Sequence, residues 1–172
     1  IMRSAEDRQM VEKLSNIPKI YLETSILNFV FADDSPEKKT DTIKLFGMIK
    51  DGAYRPFTSE YVREEIGKTP DKEKMNDMYR LITEHGVNVL RNTEETERLA
   101  AEYVKERIIP EKHMTDALHI AAATVNELDI ILSWNFQHIV KRKTIIMTEA
   151  INLRNGYKKV EIYSPTEVIK NV

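Results

Sequence analysis

Cysteine is absent from this 172-residue chain, which excludes disulfides and thiolate zinc sites and fits a reducing compartment. Glycine is scarce at five residues, and no glycine-rich phosphate loop occurs, so a nucleotide-cofactor fold is disfavoured. No apolar run approaches the ~18 residues of a membrane span, and no secretory signal is visible. These absences lead us to expect a cytoplasmic protein with no membrane partner. A dominant charge is lacking as well: 26 Lys and Arg face 28 Asp and Glu, for a net charge of −2. Such a chain exerts no global pull on nucleic acid. RNA or DNA binding would fall to a local basic patch or to metal ions bridging phosphates.

What is present is ordinary for a soluble globular protein, with 41% hydrophobic and 31% charged residues. A chain of about 150 residues buries roughly 70% of its unfolded surface, so one domain with a real core is expected. Apolar segments suited to strands fall at residues 19–22, 54–58, 87–90, 130–133 and 160–163, the fourth being the most buried in character. Helical patterns alternate with them. Residues 4–15 form an amphipathic helix with Ser4 as N-cap, Asp7 three residues on, and Met10, Val11 and Leu14 on one face. Ile1 before Met2 reads as a cloning scar or a trimmed start.

Further helices are predicted over about 25–32, over 37–50 with Ile43, Phe46 and Ile49 inward, and from Ser59 to before Pro70. Met75, Met78, Tyr79 and Ile82 mark the next, as core or dimer surface. Leu99, Tyr103 and Val104 belong to one ended by Pro110. Others cover 115–127 and 144–154, and Ser164, Pro165 and Glu167 start the last. Pro56 fits the start of its strand or an edge. Strands alternating with helices imply a parallel sheet sandwiched by helices. We read residues 1–18 as an N-terminal helical extension and 19–172 as the single α/β domain.

Four polar signals stand beside apolar segments: Glu23 in KIYLETSILNF, Glu65 in TSEYVREEI, Asp116 in HMTDALHIAAA and Asn135 in IILSWNF. An acid straight after a buried strand lies where open α/β sheets place ligands. Each has a plainer alternative. Glu23 and Asp116 could be helix-start acids, Glu65 a solvated surface acid and Asn135 a turn residue. Val62 and Ile66 define the apolar side of the Glu65 helix, and Glu65 borders it while Glu64 lies further round. Two unit charges 4 Å apart repel by about 4 kcal/mol at an effective dielectric of 20. Three converging carboxylates would therefore protonate or bind a cation. All-oxygen ligands select Mg²⁺ or Mn²⁺ over zinc, and such ions serve phosphodiester hydrolysis.

YLETS, TSEYVREE, TDALHIAAA and LSWNFQHI together resemble the motifs of PIN-domain proteins, more specifically the VapC-like toxin ribonucleases of bacterial and archaeal toxin–antitoxin pairs. NGYKKVEIYSPTEVI resembles the family's closing strand, so the likeness covers roughly residues 19–169. It implies a single-domain three-layer α/β/α sandwich, PIN-like, with a mainly parallel sheet of about five strands. It also implies a Mg²⁺- or Mn²⁺-dependent endoribonuclease using a metal-activated water, an RNA substrate, a cognate antitoxin and a homodimer. Glu23, Glu65 and Asp116 would hold the metal and Asn135 would complete the site, these four being the catalytic set. Ser25 and Ser133 would orient ligands or water.

Two residues depart from the family pattern. Glu23 stands for the usual Asp, with a reach longer by about 1.5 Å. Asn135 removes a charge and weakens a second metal position. A catalytically weakened RNA- or partner-binding module is thus an alternative, and a small-molecule phosphohydrolase using the same acids is a third. His119, one helical turn after Asp116, reads first as a packed or hydrogen-bonding histidine. His138 precedes the basic trio Lys141, Arg142 and Lys143, which, like Lys68, Lys72 and Lys74, suits phosphate contact or a solvated face equally. Trp134 could stack on a base, but packing against the strand is the preferred reading.

Overall fold

A computed structural model describes residues 4–170; Ile1 and Met2, on which the reading of a trimmed start rests, lie outside them. The elements run α1 (Ala5–Ser15), β1 (Lys19–Leu22), α2 (Thr24–Phe29), α3 (Pro36–Lys50), β2 (Arg55–Ser59), α4 (Glu60–Gly67) and α5 (Lys72–Glu84). They continue with β3 (Asn88–Leu90), α6 (Glu94–Lys105), α7 (Met114–Val125), β4 (Ile130–Leu132), α8 (Arg142–Arg154), β5 (Glu161–Tyr163) and α9 (Pro165–Lys170).

The strands form one parallel sheet in the order β3-β2-β1-β4-β5. From β1 the chain builds outward to β2 and β3, then returns to the other side of β1 for β4 and β5. Right-handed crossovers in opposite directions place helices on opposite faces. This is the expected three-layer α/β/α sandwich, PIN-like in architecture. Ile20, Tyr21 and Leu22 of β1 and Ile131 and Leu132 of β4 are fully buried, as central strands covered on both faces must be.

Helix termini follow local chemistry. Ser4 and Asp7 make the reciprocal capping box of α1. Ser59 accepts the Val62 amide to start α4, and the Glu167 carboxylate accepts from the Ser164 amide at the start of α9. Gly52 and Gly86 take positive φ after α3 and α5, a conformation that costs a side-chain-bearing residue more.

Several details differ from the sequence reading. Ile43 is 49% exposed. The inward face of α3 is instead Thr42, Leu45, Phe46 and Ile49, and a residue one position from that series is rotated by about 100°. Pro56 sits inside β2, an internal strand, opposite Ile20. The pairing with β3 begins only at Phe57, so at Pro56 the strand has a neighbour on one side alone. α1 contributes no buried residue, and Met10, Val11 and Leu14 are exposed.

Candidate active site

The sheet changes direction between β1 and β4, whose carboxyl ends open the crevice where such folds receive ligands. β1 delivers Glu23 there as the residue preceding α2, and β4 delivers Ser133. Their backbones extend the parallel ladders: Glu23 N donates to Leu132 O at 3.2 Å, and Ser133 N to Tyr163 O at 3.1 Å. Glu23 is only 5% exposed. Its Oε2 accepts from Ser25 Oγ at 2.5 Å and from Ser133 Oγ at 2.8 Å. Ser25 Oγ in turn accepts the Trp134 amide, and Ser133 Oγ accepts the Asn135 amide. Both serines thus hold one carboxylate oxygen, and Oε1 takes no hydrogen bond among the described residues.

Glu65 reaches the same place from α4. Val62 and Ile66 are buried and turn the helix so that Glu65 is partly enclosed, while exposed Glu64 meets Asn92 outside. Glu65 Oε1 accepts from Thr24 Oγ1 and from His119 Nε2, each at 2.6 Å. Glu23 Oε1 lies 4.0 Å from that same ring nitrogen. The other face of His119 meets the Tyr21 hydroxyl at 2.7 Å through Nδ1, and Tyr21 meets Ser59 Oγ at 2.7 Å. With His119 protonated, both ring nitrogens donate, and the Tyr21 hydroxyl accepts from Nδ1 and donates its own hydrogen bond to Ser59 Oγ.

Charge explains that protonation. Burial alone would depress the basicity of His119. The hydrogen bond to Glu65 and the charges of Glu23, Glu65 and Asp116 overcome it, and the net pKa is raised above 6.5. Burial would likewise push Glu65 up, but the His119 bond and charge, the Thr24 hydroxyl and Lys68 bring it below 4.5. Burial drives the Tyr21 hydroxyl well above its ordinary range, helped by the charges of Glu23 and Glu65. The two converging carboxylates therefore favour the charged form of His119, which is the form that balances them.

Asp116, in the first turn of α7, adds its charge to His119 but spends its hydrogen bond elsewhere. Its Oδ2 accepts from His138 Nδ1 at 2.9 Å, and His113 Nδ1 lies 3.9 Å from the same oxygen. Asn135 is used differently again. Its Oδ1 accepts the amides of Gln137 and His138 at 3.1 and 3.0 Å, closing the turn after β4. The structure therefore brings Glu23 and Glu65 to one nitrogen of His119, leaves Asp116 acting on that ring by charge alone, and gives the Asn135 carboxamide oxygen to backbone.

Glu23, Glu65 and His119 bring one ligand atom each within 4.8 Å of one another. Glu23 Oε1 and Glu65 Oε2 take no hydrogen bond among the described residues, which leaves each carboxylate one oxygen of the kind that a hard cation takes. Sequence reasoning set His119 down as a packed or bonded histidine, which it is, but did not assign it the pairing with Glu65. His113 went unnoticed, although its i,i+3 spacing to Asp116 was a signal. Trp134 packs as expected, 6% exposed with Nε1 donating to Thr42. Its neighbour Phe136 is the exposed ring.

No protein-family model matches this sequence, and no curated protein matches it significantly. Among solved structures it resembles a chain in the crystal structure of VapBC2 from Rickettsia felis bound to a DNA fragment from their promoter. The match has a TM-score of 0.51 and 12% identity, covering 85% of this chain and 98% of that one. At that identity the likeness is one of fold, and it agrees with a PIN-like architecture. Among the described residues no helix is long and apolar enough to cross a membrane.

Proposed function

We propose that this chain is a Mg²⁺- or Mn²⁺-dependent endoribonuclease, the toxin of a toxin–antitoxin pair. One observation carries the reading: Glu23 and Glu65, from separate elements, converge on one buried histidine at the switch point of the sheet. Glu23, Glu65 and Asp116 would hold the cation, with Asn135 beside them. Bound there, such an ion supplies neutralisation of phosphate charge and a lower pKa for water.

The protein's own residues do the positioning. Ser25 and Ser133 fix Glu23 through Oε2 and leave Oε1 for the ligand. Thr24 and His119 fix Glu65 through Oε1 and leave Oε2. Lys68, whose charge already acts on Glu65, offers a phosphate contact at the rim. Phe136 is 49% exposed with Lys38 5.5 Å from its ring centroid, and serves as a platform for an RNA base beside a cation.

The solved neighbour is a VapBC pair, and by that likeness we propose a cognate antitoxin for this chain, together with a cytoplasmic homodimer. A second reading, a weakened RNA- or partner-binding module, draws on the Asn135 oxygen being committed to two backbone amides.

The deciding experiment is cleavage of labelled RNA with Mg²⁺, Mn²⁺ or EDTA by wild type, Asp116→Asn and Glu65→Gln. We expect cation-dependent internal cuts and a loss of ~100-fold or more in each variant, since a residue that holds the cation should cost at least as much as an outer-shell partner does. Cleavage in EDTA, or equal rates in all three proteins, overturns the assignment. RNA binding without cleavage supports the second reading.

A further inference from the structure

A second cluster lies on the far side of Asp116. His113, Asp116 and His138 each place one ligand atom within 4.8 Å of the others. His138 Nδ1 is 2.9 Å and His113 Nδ1 3.9 Å from Asp116 Oδ2, and the two imidazole rings lie 3.9 Å apart, centroid to centroid. Two imidazoles and one carboxylate, all partly buried, thus converge on one point.

The scaffold around the three is firm. His113 immediately precedes α7, and its amide donates to Pro110 O at 2.8 Å. Asp116 is three residues on, so both project from the same turn. His138 is held at both backbone ends: its amide donates to Asn135 Oδ1, and its carbonyl accepts from Thr144 Oγ1 at 2.7 Å. Asn135 and Thr144 thus fix the position of a histidine that does not belong to the Glu23–Glu65 pair.

We propose that His113, Asp116 and His138 form a separate site for a borderline divalent transition ion such as Zn²⁺ or Co²⁺. Imidazole nitrogen suits these ions, whereas the oxygen ligands of Glu23 and Glu65 suit Mg²⁺ or Mn²⁺. Bonds of 2.0–2.2 Å in a tetrahedral array set ligand atoms about 3.3 Å apart. His113 must therefore approach Asp116 by about half an ångström, His138 must draw back slightly, and the two rings, now inclined at 34°, must turn apart so that both lone pairs aim at the ion. For the ion to enter, His138 Nδ1 gives up the hydrogen it shares with Asp116 Oδ2, and the neutral ring carries its hydrogen on Nε2 instead. Three protein ligands leave one tetrahedral position open. On the proposed function Asp116 also serves the Glu23–Glu65 side, and resting on that reading, an ion held by the histidines withdraws its carboxylate from there.

Co²⁺ titration of the full chain, followed by visible absorption, tests this without RNA or turnover. We expect one equivalent to give ligand-field bands that one equivalent of Zn²⁺ abolishes. Glu65→Gln should keep the bands. His113→Asn and His138→Gln should each weaken binding at least ~10-fold, with unchanged circular dichroism; His113 is 36% exposed, so its replacement spares the core. Absence of bands overturns the site, as does a signal lost in Glu65→Gln but retained in His113→Asn. Neither outcome bears on whether RNA is cleaved.

Discussion

His119 shows how one residue can stand in for an ion. Its raised pKa and the lowered pKa of Glu65 make their contributions to stability depend on pH in opposite senses. A raised histidine stabilises fully below its unfolded value of 6.5 and loses that contribution as pH rises through the folded value. A lowered carboxylate stabilises above its unfolded value of 4.5 and loses it as pH falls through the folded one. The pair is thus most stabilising between about pH 4.5 and 6.5 in cation-free protein. We expect His119→Leu to cost about 3 kcal/mol in that window, and less on either side. Melting curves in EDTA from pH 4 to 9 check this, and a pH-independent difference would contradict it.

The neighbouring acids differ in how far the sequence revealed them. Glu65 was distinguishable from Glu64 because Val62 and Ile66 fix which way α4 faces. The partner of Glu65 was hidden: His119 lies 54 positions away, and only the β1–α4–α7 arrangement brings it there. Asn135 was legible as a polar residue after a strand. Its side chain caps a turn because the amides of Gln137 and His138 are the nearest unsatisfied donors, a competition that residue type alone does not decide.

At the scale of elements, the loop after β4 acts as a bracket. Asn135 takes two amides through its side chain, its carbonyl accepts from Ile139 and Val140, and its amide donates to Ser133. We expect Asn135→Ala to cost about 1 kcal/mol, as loss of a helix cap does, and Asn135→Asp to stay within roughly 0.5 kcal/mol of wild type because the acceptor is kept. Chemical denaturation measures both; equal losses would mean that the carboxamide oxygen is not what holds the turn. The central strands β1 and β4 were the most readable elements, since parallel strands covered on both faces appear as continuous apolar runs. Boundaries were less so. α7 begins at Met114 and ends at Val125, short of the Glu127 expected, because Glu127 adopts positive φ and breaks the helical hydrogen-bond series.

Across the whole molecule, charge balance and cation binding are linked. A chain with net charge −2 that gathers carboxylates at one crevice must find positive charge, and those carboxylates favour a proton on His119 by raising its pKa. If Mg²⁺ or Mn²⁺ enters between Glu23 and Glu65, that proton becomes redundant. Calorimetry near pH 6.5 in buffers of differing ionisation enthalpy should therefore show proton release on binding, absent in His119→Leu. Binding should also raise stability by about 2.7 kcal/mol at 100 times the dissociation constant. Binding without proton release would mean that the ion sits elsewhere. The alternating pattern foretold the architecture because it needs only local sequence, whereas this linkage depends on groups that meet only after the sheet has formed.

Trp134 is the chain's single tryptophan, buried against Phe29 with its indole bonded to Thr42. Its backbone amide is bonded to the hydroxyl of Ser25, which grips Glu23. Optically, the protein carries one built-in fluorophore two hydrogen bonds from its central carboxylate. Light excited selectively from indole comes from that address alone, so a ligand arriving at Glu23 announces itself without any attached label.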